Sequence, residues 1–116
     1  MASARRRSAR IPGNQADGTA AAFKAMGDPF RLRILDLLPD RPECDLVFNV
    51  NELVDALGGS QPNMSHHLKI LCDAGLIKKN KMCNSVYYHK RRERFDSLRS
   101  CLKGLKKGAR PGKKRG

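Results

Sequence analysis

Ser60, Gln61, Asn63, Ser65, His66 and Lys69 crowd into one stretch of the chain, SQPNMSHHLKILCDA. In the same stretch Met64, Leu68 and Leu71 recur at i, i+4 and i+7, the spacing of one helical face. A helix that buries those three must turn the polar set outward. Glutamine and asparagine amides pair two ways with the edge of adenine, serine and histidine reach base edges or phosphate, and lysine meets either. No carboxylate interrupts the set before Asp73, and Lys78, Lys79 and Lys81 follow with charge suited to backbone phosphate. These residue types at these spacings fit recognition of a polyanion.

A second group with chemistry of its own is the four cysteines, Cys44, Cys72, Cys83 and Cys101, separated by 28, 11 and 18 residues. Those spacings match neither a C-x-x-C zinc knuckle nor a dense disulfide scaffold, so reduced thiols are expected. His66 and His67 are neighbours on a helix and cannot face one ion together, and His89 lies on a later strand. His66 is therefore expected to contact nucleic acid, and His67 to pack against the first helix of the pair. No Ser–His–Asp set, carboxylate pair or phosphate loop is present, which argues against an enzyme.

The elements that must position these residues are legible from caps and breakers. Thr19 is expected to start an Ala-rich helix that ends at Met26, before Gly27. Asp28-Pro29 is a cap followed by proline in the first turn, opening a helix that buries Leu32, Ile34, Leu35 and Leu38. Arg31, Arg33 and Asp36 should face outward or sideways, and Pro39 ends the helix. A polar connection follows whose end, Leu46–Phe48, is expected to be a short strand. Asn51 is expected to cap ELVDAL, Gly58-Gly59 to turn the chain, Ser60 to cap the next helix, and Gly75 to end it. LIKKN and SVYYHK then read as a hairpin with its tip near Lys81–Asn84. A last helix from Arg91 to Gly104 places Phe95, Leu98, Leu102 and Leu105 on a narrow seam suited to a partner helix.

The expected fold is thus mainly α with a small β-hairpin wing, in the order α-α-α-α-β-β-α: a winged helix-turn-helix that dimerises through its terminal helices. The helix-turn-helix spans 51–74 and the wing 76–90, within a domain covering 19–102. Two helices joined by so short a turn cross steeply, which frees the N-terminal end of the second to enter a major groove. The flanks, 1–18 and 103–116, read as a basic disordered arm and tail. Of the formal charge of +13, residues 1–17 carry +3, residues 103–116 carry +7, and the body between carries +3. Basic tails around a small body suit a polyanion through counterion release. The chain has 116 residues, too few to spare interior for a deep catalytic pocket. No apolar run approaches the ~20 residues of a membrane span, and the N-terminal arginines lack an apolar core, so a cytoplasmic protein with no membrane partner is expected.

FKAMGDPFRLRILDLL, ELVDALGGSQPNMSHHLKILCDAGLI and VYYHK together resemble the ArsR/SmtB metalloregulators over roughly residues 19–102. The resemblance implies a winged-helix homodimer that represses a promoter and lets go when an inducer binds. It points to Ser60, Gln61, Ser65 and His66 as DNA contacts, on a double-stranded operator with inverted-repeat half-sites. Three inherited sensor sites do not transfer. Where many members carry C-x-C before the third helix, this chain has Asn49 and Asn51, hard and weak donors for a soft ion. The terminal-helix zinc site lacks its histidine beside Asp96, and the two-cysteine pattern ending the recognition helix falls on Ile70 and Ala74, with Cys72 between. The sensing residues expected are therefore Cys83 at the basic wing tip, Cys101 flanking the dimer seam, and Cys72. The inducer class expected is thiophilic: trivalent arsenic or antimony, a soft metal or an oxidant, with no resident cofactor assigned. The alternatives are a constitutive DNA-binding regulator of the same fold and a basic RNA-associated protein.

Overall fold

Local chemistry sets most of the element boundaries in the computed structural model, which describes residues 13–41, 48–82 and 84–108. The elements are α1 (Gly13–Met26), α2 (Pro29–Leu37), α3 (Val50–Leu57), α4 (Gln61–Asp73), β1 (Ile77–Met82), β2 (Ser85–Lys90) and α5 (Arg92–Lys107). Asp28 caps α2, its Oδ2 accepting from the Arg31 N–H at 3.0 Å. That bond holds the Asp28 carboxyl below the usual carboxylate range.

Helix α1 begins at Gly13, six residues before the expected start at Thr19. Residues 13–18, assigned to the basic arm, are therefore helical. The reason is tertiary: the Arg94 guanidinium Nη2 donates to the Gly18 carbonyl at 2.8 Å, and Ala22 and Ala25 are buried behind it. At the other end α5 runs to Lys107, past the expected domain end at 102. Lys106 and Lys107 sit where the helix dipole is negative, and Gly108 closes the helix with φ +81°. The rest of the arm and tail, 1–12 and 109–116, lies outside the described residues.

The core gathers one face from every helix: Ala22 and Ala25 of α1, Ile34 and Leu35 of α2, Leu53 of α3, Met64, Leu68 and Leu71 of α4, and Leu98 of α5. Leu38, Leu76 and Ile77 complete it. Leu32 does not join them and stays 49% exposed. At about 100° per residue it lies roughly 110° round α2 from the face that Ile34, Leu35 and Leu38 define. Arg31 falls on that inner face instead and is half-buried. Its Nε donates to the Ala25 carbonyl at 2.6 Å, and its Nη1 lies 3.2 Å from Nδ1 of His67. The expectation that Leu32 is buried and Arg31 turned away is thus corrected on both counts.

Asn49, not Asn51, caps α3. The Asn49 Oδ1 accepts from the Glu52 N–H at 2.8 Å, and the Glu52 carboxylate accepts from the Asn49 N–H at 2.9 Å, a reciprocal capping box. Gly58 and Gly59 both take φ near +90°, at +89° and +88°, and an added Cβ would meet nothing at either. Glycine is required there by conformation rather than by space. Ser60 caps α4 as expected, Oγ accepting from the Asn63 N–H at 3.2 Å. Helix α4 ends in a Schellman turn, with Gly75 at φ +77° and the Leu76 N–H donating to the Leu71 carbonyl at 3.0 Å. That turn delivers Leu76 and Ile77 straight into the core at the root of the hairpin.

The strands β1 and β2 pair antiparallel, from Ile77 opposite Lys90 to Met82 opposite Ser85. Asn84 at the tip takes φ +65°. The hairpin is tied down at its base: the Lys90 N–H donates to the Pro39 carbonyl at 2.7 Å, and the Arg91 N–H to the Leu76 carbonyl at 2.9 Å. Of the expected strand at Leu46–Phe48, the described part is a single bridge in which the Tyr88 N–H donates to the Phe48 carbonyl at 3.1 Å. Among the described residues no helix is long and apolar enough to cross a membrane.

Candidate nucleic-acid interface

With Met64, Leu68 and Leu71 sunk into the core, α4 presents Gln61, Asn63, Ser65, His66 and Lys69 to solvent, together with the capping Ser60. His66 lies almost opposite the buried stripe and Lys69 beside it, while Asn63 and Ser65 flank them. Gln61 lies toward α3. The helix that carries this face is held at both ends by its caps and in the middle by its apolar stripe, so the polar set projects from a rigid element. Lys69 is ion-paired with Asp73 at 3.2 Å across one helical turn, an exposed contact that leaves it free to exchange for phosphate.

His67 is half-buried and faces the other way. Its ring packs on Phe30 with centroids 5.1 Å apart, and its Nδ1 accepts from Arg31. The expected partner was the first helix of the pair, α3; the observed one is α2. Because arginine only donates, Nδ1 must be the unprotonated nitrogen, so this contact needs neutral His67.

Lys78, Lys79 and Lys81 are all exposed on β1, but they do not form one row. Alternation along the strand puts Lys79 and Lys81 on one face and Lys78 on the other. Lys78 lies near enough to Glu93 to help lower its carboxyl, after hydrogen bonds from its own backbone and from Arg91. Lys79 faces the side on which Cys72 lies, and its charge favours the thiolate. Burial outweighs that charge and pushes the Cys72 thiol up from its ordinary value.

Of the expected sensing residues, Cys72 and Cys101 are free thiols, both half-buried and on different helices. Cys83, like Cys44, lies outside the described residues. Asn49 and Asn51 are spent on hydrogen bonds, the first on its capping box and the second on Gln61, so they do not suit a soft cation. Among the described residues no three His, Cys, Asp or Glu side chains come together to hold a metal.

The site residue that sequence reasoning missed is Asn51. Its Oδ1 accepts from Nε2 of Gln61 at 2.9 Å, joining the start of α3 to the start of α4. The signal was present in the capping box: Asn49-x-x-Glu52 places Asn51 inside the helix, on its exposed side.

Two short helices joined by the Gly58-Gly59 turn, with a polar face on the second and a basic hairpin beside it, define a winged helix-turn-helix DNA-binding protein. Comparison with known proteins places it more narrowly. The family described as bacterial regulatory protein, arsR family, matches residues 28–79. An uncharacterised HTH-type transcriptional regulator of Methanocaldococcus jannaschii is 41% identical over 70 residues, spanning 60% of this chain and 74% of that protein. The arsenical resistance operon repressor of Staphylococcus xylosus is 35% identical over 80 residues, spanning 69% of this chain and 72% of that one. Among solved structures, reduced HlyU from Vibrio cholerae shares 27% identity at a TM-score of 0.59, over 78% of this chain and 90% of that one. The homodimeric winged helix-turn-helix domain from Mycobacterium bovis has the same fold at a TM-score of 0.64, with 24% identity over 84% and 85% of the two chains. The chain belongs to the ArsR/SmtB family of transcriptional regulators and is not an enzyme.

Proposed function

We propose that this protein is a homodimeric transcriptional repressor whose α4 reads inverted-repeat half-sites through Gln61, Asn63, Ser65, His66 and Lys69. Ser60 and the wing lysines Lys78, Lys79 and Lys81 hold backbone phosphate. The observation that carries this reading is the rigid, carboxylate-poor polar face of α4 standing over its buried stripe. Dimerisation is supported by Leu102 and Leu105, which lie 53% and 64% exposed on α5 in line with Phe95 and Leu98. It is supported also by the homodimeric state of the M. bovis domain. Two-fold symmetry in the protein demands two-fold symmetry in the site. Selection from a random duplex library with the purified full chain tests this. A palindromic site with half-sites about one helical turn apart is the expected outcome. Failure to enrich any sequence, or equal binding to RNA, would contradict it.

Release by a thiophilic inducer through cysteines outside α3 is part of the same proposal. It draws support from the relative named as an arsenical resistance repressor and from the four cysteines of the chain. Burial pushes the Cys72 thiol up from its ordinary value, so Cys101 and Cys83 are the cysteines we assign first to sensing. Arsenite should lower operator affinity about 5- to 150-fold, the range of ordinary allosteric coupling. Cys101→Ser or Cys83→Ser should blunt that response while Cys72→Ser retains it. A wild-type protein indifferent to thiophiles and oxidants would instead establish constitutive binding.

A further inference from the structure

We propose that Asn51 is a positioning residue that sets the Gln61 amide for reading adenine. The inference rests on the proposed role of α4 in base readout and extends it to a residue on the preceding helix. Gln61 Nε2 donates to Asn51 Oδ1 at 2.9 Å, across the Gly58-Gly59 turn and ten positions apart in the chain. Both side chains are exposed, so the bond does not serve to satisfy a buried group. What it does is remove freedom from one of the longest and most mobile polar side chains, which would otherwise have to be ordered on binding DNA.

The amide arithmetic favours adenine. A glutamine head has two N–H donors and one carbonyl oxygen. One N–H goes to Asn51, which leaves one N–H and Oε1. That remaining pair is the complement of adenine N7 and N6–H₂ in the major groove. The support is itself rigid: Asn51 sits in the first turn of α3, which the reciprocal bonds between Asn49 and Glu52 lock at 2.8 and 2.9 Å. The two glycines at φ +89° and +88° fix how the two helix starts face each other. Asn51 still has its own amide hydrogens, which make no bond among the described residues, so a direct contact from Asn51 to DNA is the competing role that the test must separate.

A double-mutant cycle on the full chain does so, comparing affinity for a selected site with affinity for the same site carrying a replaced A·T pair under α4. Gln61→Ala should reduce that preference about 5- to 150-fold, the range of one good bidentate contact. Asn51→Ala should reduce it about 2- to 10-fold, as expected for losing one hydrogen bond that orients the reader. In the Gln61→Ala background Asn51→Ala should change nothing further. Asn51→Asp keeps the accepting oxygen, so it should keep the preference while its added charge weakens binding to all sequences alike. Additive losses would place Asn51 on the DNA directly and overturn the positioning role, as would a preference untouched by Asn51→Ala or lost equally in Asn51→Asp. If Gln61→Ala itself leaves the preference intact, the readout role of Gln61 falls, and the positioning role falls with it.

Discussion

Asn49 and Asn51 stand where a soft-ion regulator would place thiolates, and each gives its side-chain oxygen to a hydrogen bond within the protein. Asn49 caps α3 and Asn51 accepts from Gln61, so this segment serves the protein's own hydrogen bonding. Cys72 is the contrasting case, a free thiol half-buried near the end of α4. Burial pushes its ionisation up, more than the charges of Lys79 and Lys69 pull it down. Iodoacetamide near neutral pH should therefore label Cys72 more slowly in the native protein than in urea, because only the thiolate reacts. Peptide mass mapping over time reads the two rates, and equal rates would contradict the burial argument.

At the scale of elements, α4 is held by α2 as well as by α3. Arg31 bridges the Ala25 carbonyl of α1 and the His67 ring of α4, so it joins three helices beneath the recognition face. Arg31→Met keeps the stem but removes the donors and leaves two half-buried acceptors unsatisfied. It should destabilise the fold by about 1–3 kcal/mol, read as a lower urea midpoint. A change within about 0.5 kcal/mol, as at an ordinary surface site, would show that the bridge carries no weight. These bonds also show where sequence reading ran out. Caps at Asp28 and Ser60 and the stop at Gly75 were legible because each is satisfied within a few residues of itself. The inward turn of Arg31 was not, because its partner His67 is 36 residues away, and the early start of α1 depends on Arg94, 76 residues from Gly18. Asn51 was misread as a cap because the deciding bond is the reach of Glu52 back to Asn49. The outward turn of Asn63, Ser65, His66 and Lys69 was legible, since three buried positions at helical spacing determine the opposite face, whereas Gln61 lies on the stripe's own side at the helix start and its reach to Asn51 was not.

For the molecule as a whole, apolar surface and charge point in the same direction. Leu102 and Leu105 on α5 are more than half exposed, and Leu32 on α2 nearly half, on a domain with little interior of its own. A partner helix would cover the α5 pair, and Leu102→Glu with Leu105→Glu should convert the proposed homodimer to monomer in sedimentation at micromolar concentration. Twice the chain mass persisting in that double variant would place the dimer contact elsewhere. Of the formal charge of +13, residues 1–17 and 103–116 together carry +10, which in the proposed DNA complex would add affinity without sequence preference.

The central claim is that α4 reads sequence while the wing supplies charge, and one comparison tests it most directly. Operator binding is measured against salt, for the selected site and for a scrambled duplex, in wild type, His66→Ala and Lys79→Ala. His66→Ala should cut the discrimination between the two duplexes by about 1–3 kcal/mol and leave the salt slope nearly unchanged. Lys79→Ala should weaken both duplexes equally and flatten the salt slope by about one unit per subunit engaged. The contradicting result is the reverse: discrimination intact in His66→Ala and lost in Lys79→Ala, which would put sequence recognition in the wing.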